Sequence, residues 1–247
     1  MNQNVAALLV KEFRQLPRKR GAVLSAVLLP LAFCLGIPLL NIVTMGNNPN
    51  ATNMPVGVNL PPGMSSMKDT KQMLTGFLLP FMIMISGLML PSLLATYTII
   101  AERERRTLEL LVALPVSVRD IITAKLGAVL AVGVAITVPL LIIDSAVMIY
   151  FGLGSFGDAL LLLWLLVASL AYSTAGALLV GLLAKDFRTA NNVLGALVGP
   201  FILIAMGFIF VLPPVVAPLA LGAFLLLLTA AAIAFSLRWL TFERLLS

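Results

Sequence analysis

Histidine is absent from this chain, and cysteine occurs once, at Cys34. Without an imidazole the commonest general base and metal ligand is missing, so serine–histidine, cysteine–histidine and zinc–histidine chemistry cannot be carried by this chain alone. A single thiol excludes an intrachain disulfide and a cysteine metal cluster. No Gly-x-x-x-x-Gly-Lys-Ser/Thr loop occurs, so the chain lacks the usual cradle for ATP phosphates, and no cofactor is expected in it. Charge is scarce as well: Asp, Glu, Lys and Arg make up 11% of 247 residues, with a net charge of +6. In a soluble domain that balance would suggest nucleic acid; here the first question is which side of a bilayer the basic residues occupy, and no nucleic-acid partner is expected.

Apolar residues fill the space that charge leaves. They make up 61% of the chain, and a mean hydropathy of +1.10 lies outside the soluble globular range. Runs of the ~20 residues needed to cross a bilayer extend from Gly21 to Val43, Phe77 to Ile100, Leu126 to Tyr150, Ala159 to Ala184, Val193 to Leu212 and Val215 to Leu237. The expected fold is therefore all-α: a polytopic membrane protein with six transmembrane helices in one domain over residues 1–247. The first run has no clear cleavage site and is read as retained rather than as a signal peptide. The last two runs are parted only by Pro213 to Pro218, read either as a tight turn or as the bottom of a re-entrant hairpin. Prolines at 30, 38, 80, 91, 139 and 200 fall inside crossings, where a missing donor and a ring clash predict kinks.

The basic residues divide unevenly between alternate connections. Lys11, Arg14, Arg18, Lys19, Arg20, Arg103, Arg105, Arg106, Arg119, Lys125, Lys185, Arg188, Arg238 and Arg244 share one side, and Lys68 and Lys71 the other. This asymmetry predicts both termini in the cytoplasm, in a multi-pass protein of the plasma (cytoplasmic) membrane. Residues 1–20 read as a cytoplasmic interfacial helix: Val5, Leu8, Leu9, Phe13 and Leu16 share one face, with Lys11 and Arg14 away from it. Glu12 falls on the apolar side, as a snorkelling edge residue.

Residues 101–125 concentrate charge in a chain that has little. Glu102 with Arg106, and Arg105 with Glu109, stand four apart and can pair along a helix. Leu108, Leu111 and Val112 form an apolar stripe on an element too charged to lie in lipid. Pro115 interrupts, and Ser117 with Asp120 makes a capping-box pattern that starts a second helix toward Lys125. The loop reads as helix, turn, helix. On physical grounds both a docking surface and a plain solvated hairpin fit this pattern.

Glu102, Glu104, Thr107-Leu108-Glu109, Leu110-Leu111, Pro115-Val116-Ser117, Ile121 and Lys125 follow a pattern that resembles the loop between the second and third crossings of ABC-2 type permeases, the membrane subunits of ATP-binding cassette exporters. The resemblance extends to the opening "KEFRQLPRKR" and to the six-crossing plan. It implies that the loop holds a cytoplasmic coupling helix seated on a P-loop ATPase subunit, with docking roles for Glu102, Glu104, Thr107, Leu108, Glu109, Leu111 and Pro115. It further implies a non-catalytic permease that moves a hydrophobic or amphipathic substrate outward, ATP and magnesium being bound by the partner. A second permease copy or homologue, surrounding membrane lipid and a prokaryotic setting complete that expectation.

Within the crossings, the family's path-lining helices make Thr96, Thr98 and Asn192 candidates for a substrate path. Asp144 is the most informative intramembrane charge, since a carboxylate at mid-bilayer costs about 2.5–3.5 kcal/mol on insertion scales. It lies roughly 27 Å along its helix from Leu126, which predicts a position near the outer interface, just within reach of water. Ser169, Ser173, Ala177 and Gly181 give the fourth crossing a small-residue face for close packing, as Gly195 and Gly199 do in the fifth. Three rival readings remain: a membrane aspartyl protease using Asp144 with Asp158, an ATPase-bound assembly or signalling subunit without transport, and a self-contained carrier.

Overall fold

The computed structural model describes residues 27–47, 70–104, 118–183 and 187–239. They form six helical segments joined in chain order. α1 covers 27–47, with a π-helical stretch at Leu31–Gly36 followed by Ile37–Asn47. α2 runs from Thr70 to Glu104, with a second π-helical stretch at Leu74–Leu78. α3 is Val118–Tyr150, α4 Phe156–Leu183, α5 Phe187–Val211 and α6 Val216–Trp239.

Among these residues, α1, α2, α3, α4 and α6 are long and apolar enough to cross a membrane. α5 contributes a shorter apolar stretch, Phe201–Val211. The chain is thus a multi-pass membrane protein, and all its described regular structure is helical. Exposed Leu28, Leu40, Ile142, Leu203 and Leu227 fit that solvent, since lipid covers apolar side chains that water would not. A turn links the last two helices: α5 ends at Val211, α6 starts at Val216, and the Ala217 N–H donates to the Pro213 carbonyl at 2.9 Å, a geometry that a tight turn and the bottom of a re-entrant hairpin share.

The two π-helical stretches have a cause in the sequence. A proline removes the N–H that would bond the carbonyl four residues before it. Pro38 does this to Cys34 and Pro80 to Gly76, and each of those residues lies inside a π-helical stretch. The ladder answers by shifting to i→i−5 bonds: Ile37 N–H donates to Ala32 and Leu79 N–H to Leu74. Pro91 and Pro139, by contrast, sit within unbroken α-helix.

α4 is the central rod, packed against α2, α6 and α3, while α1 lies on α3 and α2. The expected small-residue face of α4 does meet a neighbour closely. Ser169, Ser173 and Ala177 are buried, and Ser173 Oγ donates to the Leu88 carbonyl of α2. Gly87 of α2 lies against Ser169. Gly199 departs from the packing expectation: it is exposed, and nothing lies near the place a Cβ would take.

On the other side of α4, Gly222 of α6 lies under Trp164, where an added Cβ would stand 2.8 Å from the indole Cδ1. Trp164 is 38% exposed, so its ring has room to swing toward lipid. Gly222→Ala, at a buried position, should therefore cost about 1 kcal/mol of stability, the low end of the usual overpacking range, and show as a small fall in melting temperature with altered tryptophan fluorescence.

Candidate functional site

The helix termini define two ends of the bundle. At one, which we call the Asp158 end, α2, α4 and α6 begin and α3 and α5 finish. Lys71 Nζ donates to the Gly152 carbonyl there, tying the start of α2 to the turn after α3. Gly152 takes a φ of +63°, a left-handed conformation that glycine adopts without steric cost. The Ser155 N–H and Oγ donate to Asp158 Oδ2 at 2.7 and 2.8 Å, and the Asp158 N–H approaches Ser155 Oγ at 3.3 Å. This reciprocal pattern caps α4. A small open cleft lies beside it, lined by Thr75, Pro80, Asp158, Pro214, Val215 and Pro218.

At the opposite end, Leu90 and Leu94 of α2, Val129 of α3, Ala177 and Val180 of α4 and Ala190 of α5 form one buried cluster. It brings the start of α5 beside the last turns of α2. Thr96 and Thr98 lie on α2 beyond Leu94, and Asn192 is an exposed residue of α5 two positions past Ala190. These three candidates thus share one end of the bundle. Asp144 lies toward the other, six residues before the end of α3. The four do not come together as one site.

Asp144 also corrects the expectation that it reaches water. It is 2% exposed, and neither carboxylate oxygen has a hydrogen-bond partner. Counting residues gives depth along a helix but not the direction a side chain faces. Leu141 and Met148, one turn to either side of Asp144, belong to a buried cluster with Cys34, Leu79 and Ile83, so this face of α3 turns inward. The protease reading loses its geometry as well: Asp158 is committed to the α4 cap, and Asp144 bonds to no other carboxyl. Among the described residues, no group of three or more Asp, Glu, Cys or His is placed to hold a metal ion.

Of the expected docking residues, Glu102 and Glu104 lie on α2, which continues past Ile100 as unbroken helix to the last described residue, Glu104. α3 is described from Val118 onward, and Ser117, the expected cap, lies outside the described residues. Thr107, Leu108, Glu109, Leu111 and Pro115 lie outside the described residues, as do the interfacial segment 1–20 and the rest of the 105–117 loop.

Comparison with known proteins gives one match. The model of the ABC-2 family transporter protein matches residues 2–243, nearly the whole chain. Neither the curated proteins nor the solved structures compared with the chain give a match. With several membrane-length apolar helices and a family match of that extent, the chain belongs to the ABC-2 family of transporter membrane proteins.

Proposed function

We propose that this chain is the permease subunit of an ATP-driven exporter, moving a hydrophobic or amphipathic substrate out of the cell. The observation that carries the reading is the family match over residues 2–243 in a chain without a phosphate-binding loop. ATP and magnesium then belong to a separate P-loop ATPase, and this subunit is not itself an enzyme. Glu102, Glu104, Thr107, Leu108, Glu109, Leu111 and Pro115 form the dock for that ATPase. Two permease halves, identical or homologous, embed in lipid with six crossings each, α5 being the fifth. ATP-driven closure of the ATPases moves the docking loops and switches the path between inward and outward access.

The direct test is purification of the tagged chain from native membranes in mild detergent, with mass spectrometry of what accompanies it. A stoichiometric P-loop ATPase is the expected result. A chain that emerges alone, without nucleotide hydrolysis, refutes the reading. ATPase binding without substrate movement in reconstituted vesicles would favour an assembly or signalling subunit instead.

Orientation has its own test. With Cys34 replaced by serine, a cysteine introduced at Ser65 should label from outside intact cells, and one at Ser117 only after the membrane is opened. Reversed labelling would overturn the cytoplasmic placement of both termini, which rests on the distribution of Lys and Arg.

A further inference from the structure

The turn between α3 and α4, residues 151–155, uses its backbone donors within the chain. The Phe151 N–H donates to the Val147 carbonyl, that of Gly152 to Ile149 and that of Leu153 to Met148, each at 3.0 Å, and the Ser155 N–H donates to Asp158 Oδ2. The Gly152 carbonyl accepts from Lys71. Leu153 is buried in one cluster with Met148 and Leu162, so the turn folds back onto the bundle. A backbone satisfied in this way loses little when headgroups and acyl carbons replace water around it.

Two aromatic residues flank the turn. Tyr150, 84% exposed, and Phe156, 72% exposed, are the most exposed of the large apolar side chains described. Phe151 between them packs against the buried cluster and meets the Tyr150 ring edge-on, with centroids 5.4 Å apart. Tyr150 ends the apolar span of α3, and Phe156 opens that of α4. Helix length gives the depth. From Lys125 to Tyr150, α3 rises roughly 37 Å at about 1.5 Å per residue. That exceeds the ~30 Å hydrocarbon core and falls within the ~40–45 Å of the whole bilayer. A lysine is costly in the core, so with Lys125 at one headgroup layer Tyr150 reaches the other. Tyrosine is enriched at that level, where its ring meets acyl carbons and its hydroxyl meets headgroups.

We propose that the α3–α4 turn is a lipid-docking surface: it lies in the headgroup layer at the Asp158 end, with Tyr150 and Phe156 set into the boundary between headgroups and acyl chains. The partner is phospholipid. Because α4 is the central rod of the bundle, this contact fixes the height at which the whole bundle sits. The inference holds for either orientation of the chain, and whether it exports or only binds an ATPase.

Depth-resolved fluorescence quenching in lipid nanodiscs tests the docking. The native indoles, Trp164 and Trp239, are replaced by phenylalanine, and single tryptophans are introduced by Tyr150→Trp, Phe156→Trp or Ile142→Trp. At 150 and 156, phospholipid with a nitroxide near its headgroup should quench more strongly than phospholipid with the nitroxide near the chain end. At Ile142, exposed and roughly 12 Å farther along α3 from the turn, the order should reverse. Quenching at 150 and 156 by aqueous acrylamide alone would place the turn in water and overturn the proposal. Quenching by none of the three would mean that protein, such as a second copy, covers the turn, and dominance of the deep label would sink it among the chains; either result overturns it too. Where the background without native tryptophan does not assemble, a nitroxide on a cysteine at exposed Ile149, with Cys34 replaced by serine, reads the same depth with both aromatics in place. Its relaxation should respond to oxygen and to a water-soluble nickel complex alike. Response to only one of them, or to neither, overturns the docking.

Discussion

Gly87→Ala should destabilise the helical bundle by about 1–3 kcal/mol, the usual cost of forcing volume into a packed core. The added methyl would overlap Ser169 Oγ, stand 3.0 Å from Ser169 Cβ and approach the Leu166 carbonyl at 3.3 Å. Ser169 cannot readily give way. Its hydroxyl is held to the Leu166 carbonyl at 2.9 Å, and the residue is fully buried at the contact of α2 with α4. Backbone separation is the remaining escape, and it would strain the adjacent bond from Ser173 to the Leu88 carbonyl. The companion change Ser169→Gly removes both offending atoms. The double variant should therefore recover more than half of the loss, a positive coupling of the kind neighbouring sites show. Thermal unfolding in detergent measures all three proteins. Equal losses in Gly87→Ala and in the double variant would mean that the α2–α4 contact is looser than its geometry indicates. Gly222 makes the contrast, since Trp164 above it borders lipid and can move.

How far the sequence foretold this arrangement differs from element to element. The small-residue face of α4 was legible because Ser169, Ser173 and Ala177 recur every fourth residue, and small side chains are what let membrane helices approach. Bounds set by tertiary contacts were less so: α5 is already helical at Phe187, six residues before its expected apolar run, and Ala190 there packs against α2 and α4. The π-helical stretches went unread because a proline announces a missing donor without saying how the ladder will repair it. Of the prolines considered, Pro38 and Pro80 are followed back by i→i−5 bonding, while Pro91 and Pro139 are absorbed in α-helix. Asp144 shows the same limit at a candidate site. Its depth followed from counting, but its facing depends on which helices α3 meets, and no single-chain periodicity in so uniformly apolar a helix marks the inward side. The family, by contrast, was legible in the charged loop, because charge in an apolar chain is placed against a strong cost and its pattern is correspondingly informative.

If the proposed dock is right, Leu108→Asp should weaken the binding of a partner ATPase by about thirtyfold or more, the effect of losing an interface anchor worth about 2 kcal/mol. In the sequence Leu108, Leu111 and Val112 recur at the three- and four-residue spacing of an apolar helix stripe, and an aspartate at 108 places a charge where a partner's apolar pocket would have to desolvate it. Leu108→Ala should lose less, because truncation forfeits contact without adding charge. Titrating the ATPase onto the detergent-solubilised permease gives the affinities, and unchanged affinity in the aspartate variant would remove the loop as the dock. Glu104→Gln probes a different step. Glu104 is the last described residue of α2, a helix that runs back roughly 50 Å to Thr70 at a rise of about 1.5 Å per residue. A push on its loop end is therefore delivered near the π-helical stretch Leu74–Leu78, which borders the cleft at the Asp158 end through Thr75 and Gly76. If that rod carries the stroke, Glu104→Gln should leave ATP hydrolysis running while substrate transport in vesicles falls. Parallel loss of hydrolysis and transport would instead make Glu104 part of the grip, beside Leu108, rather than of the transmission.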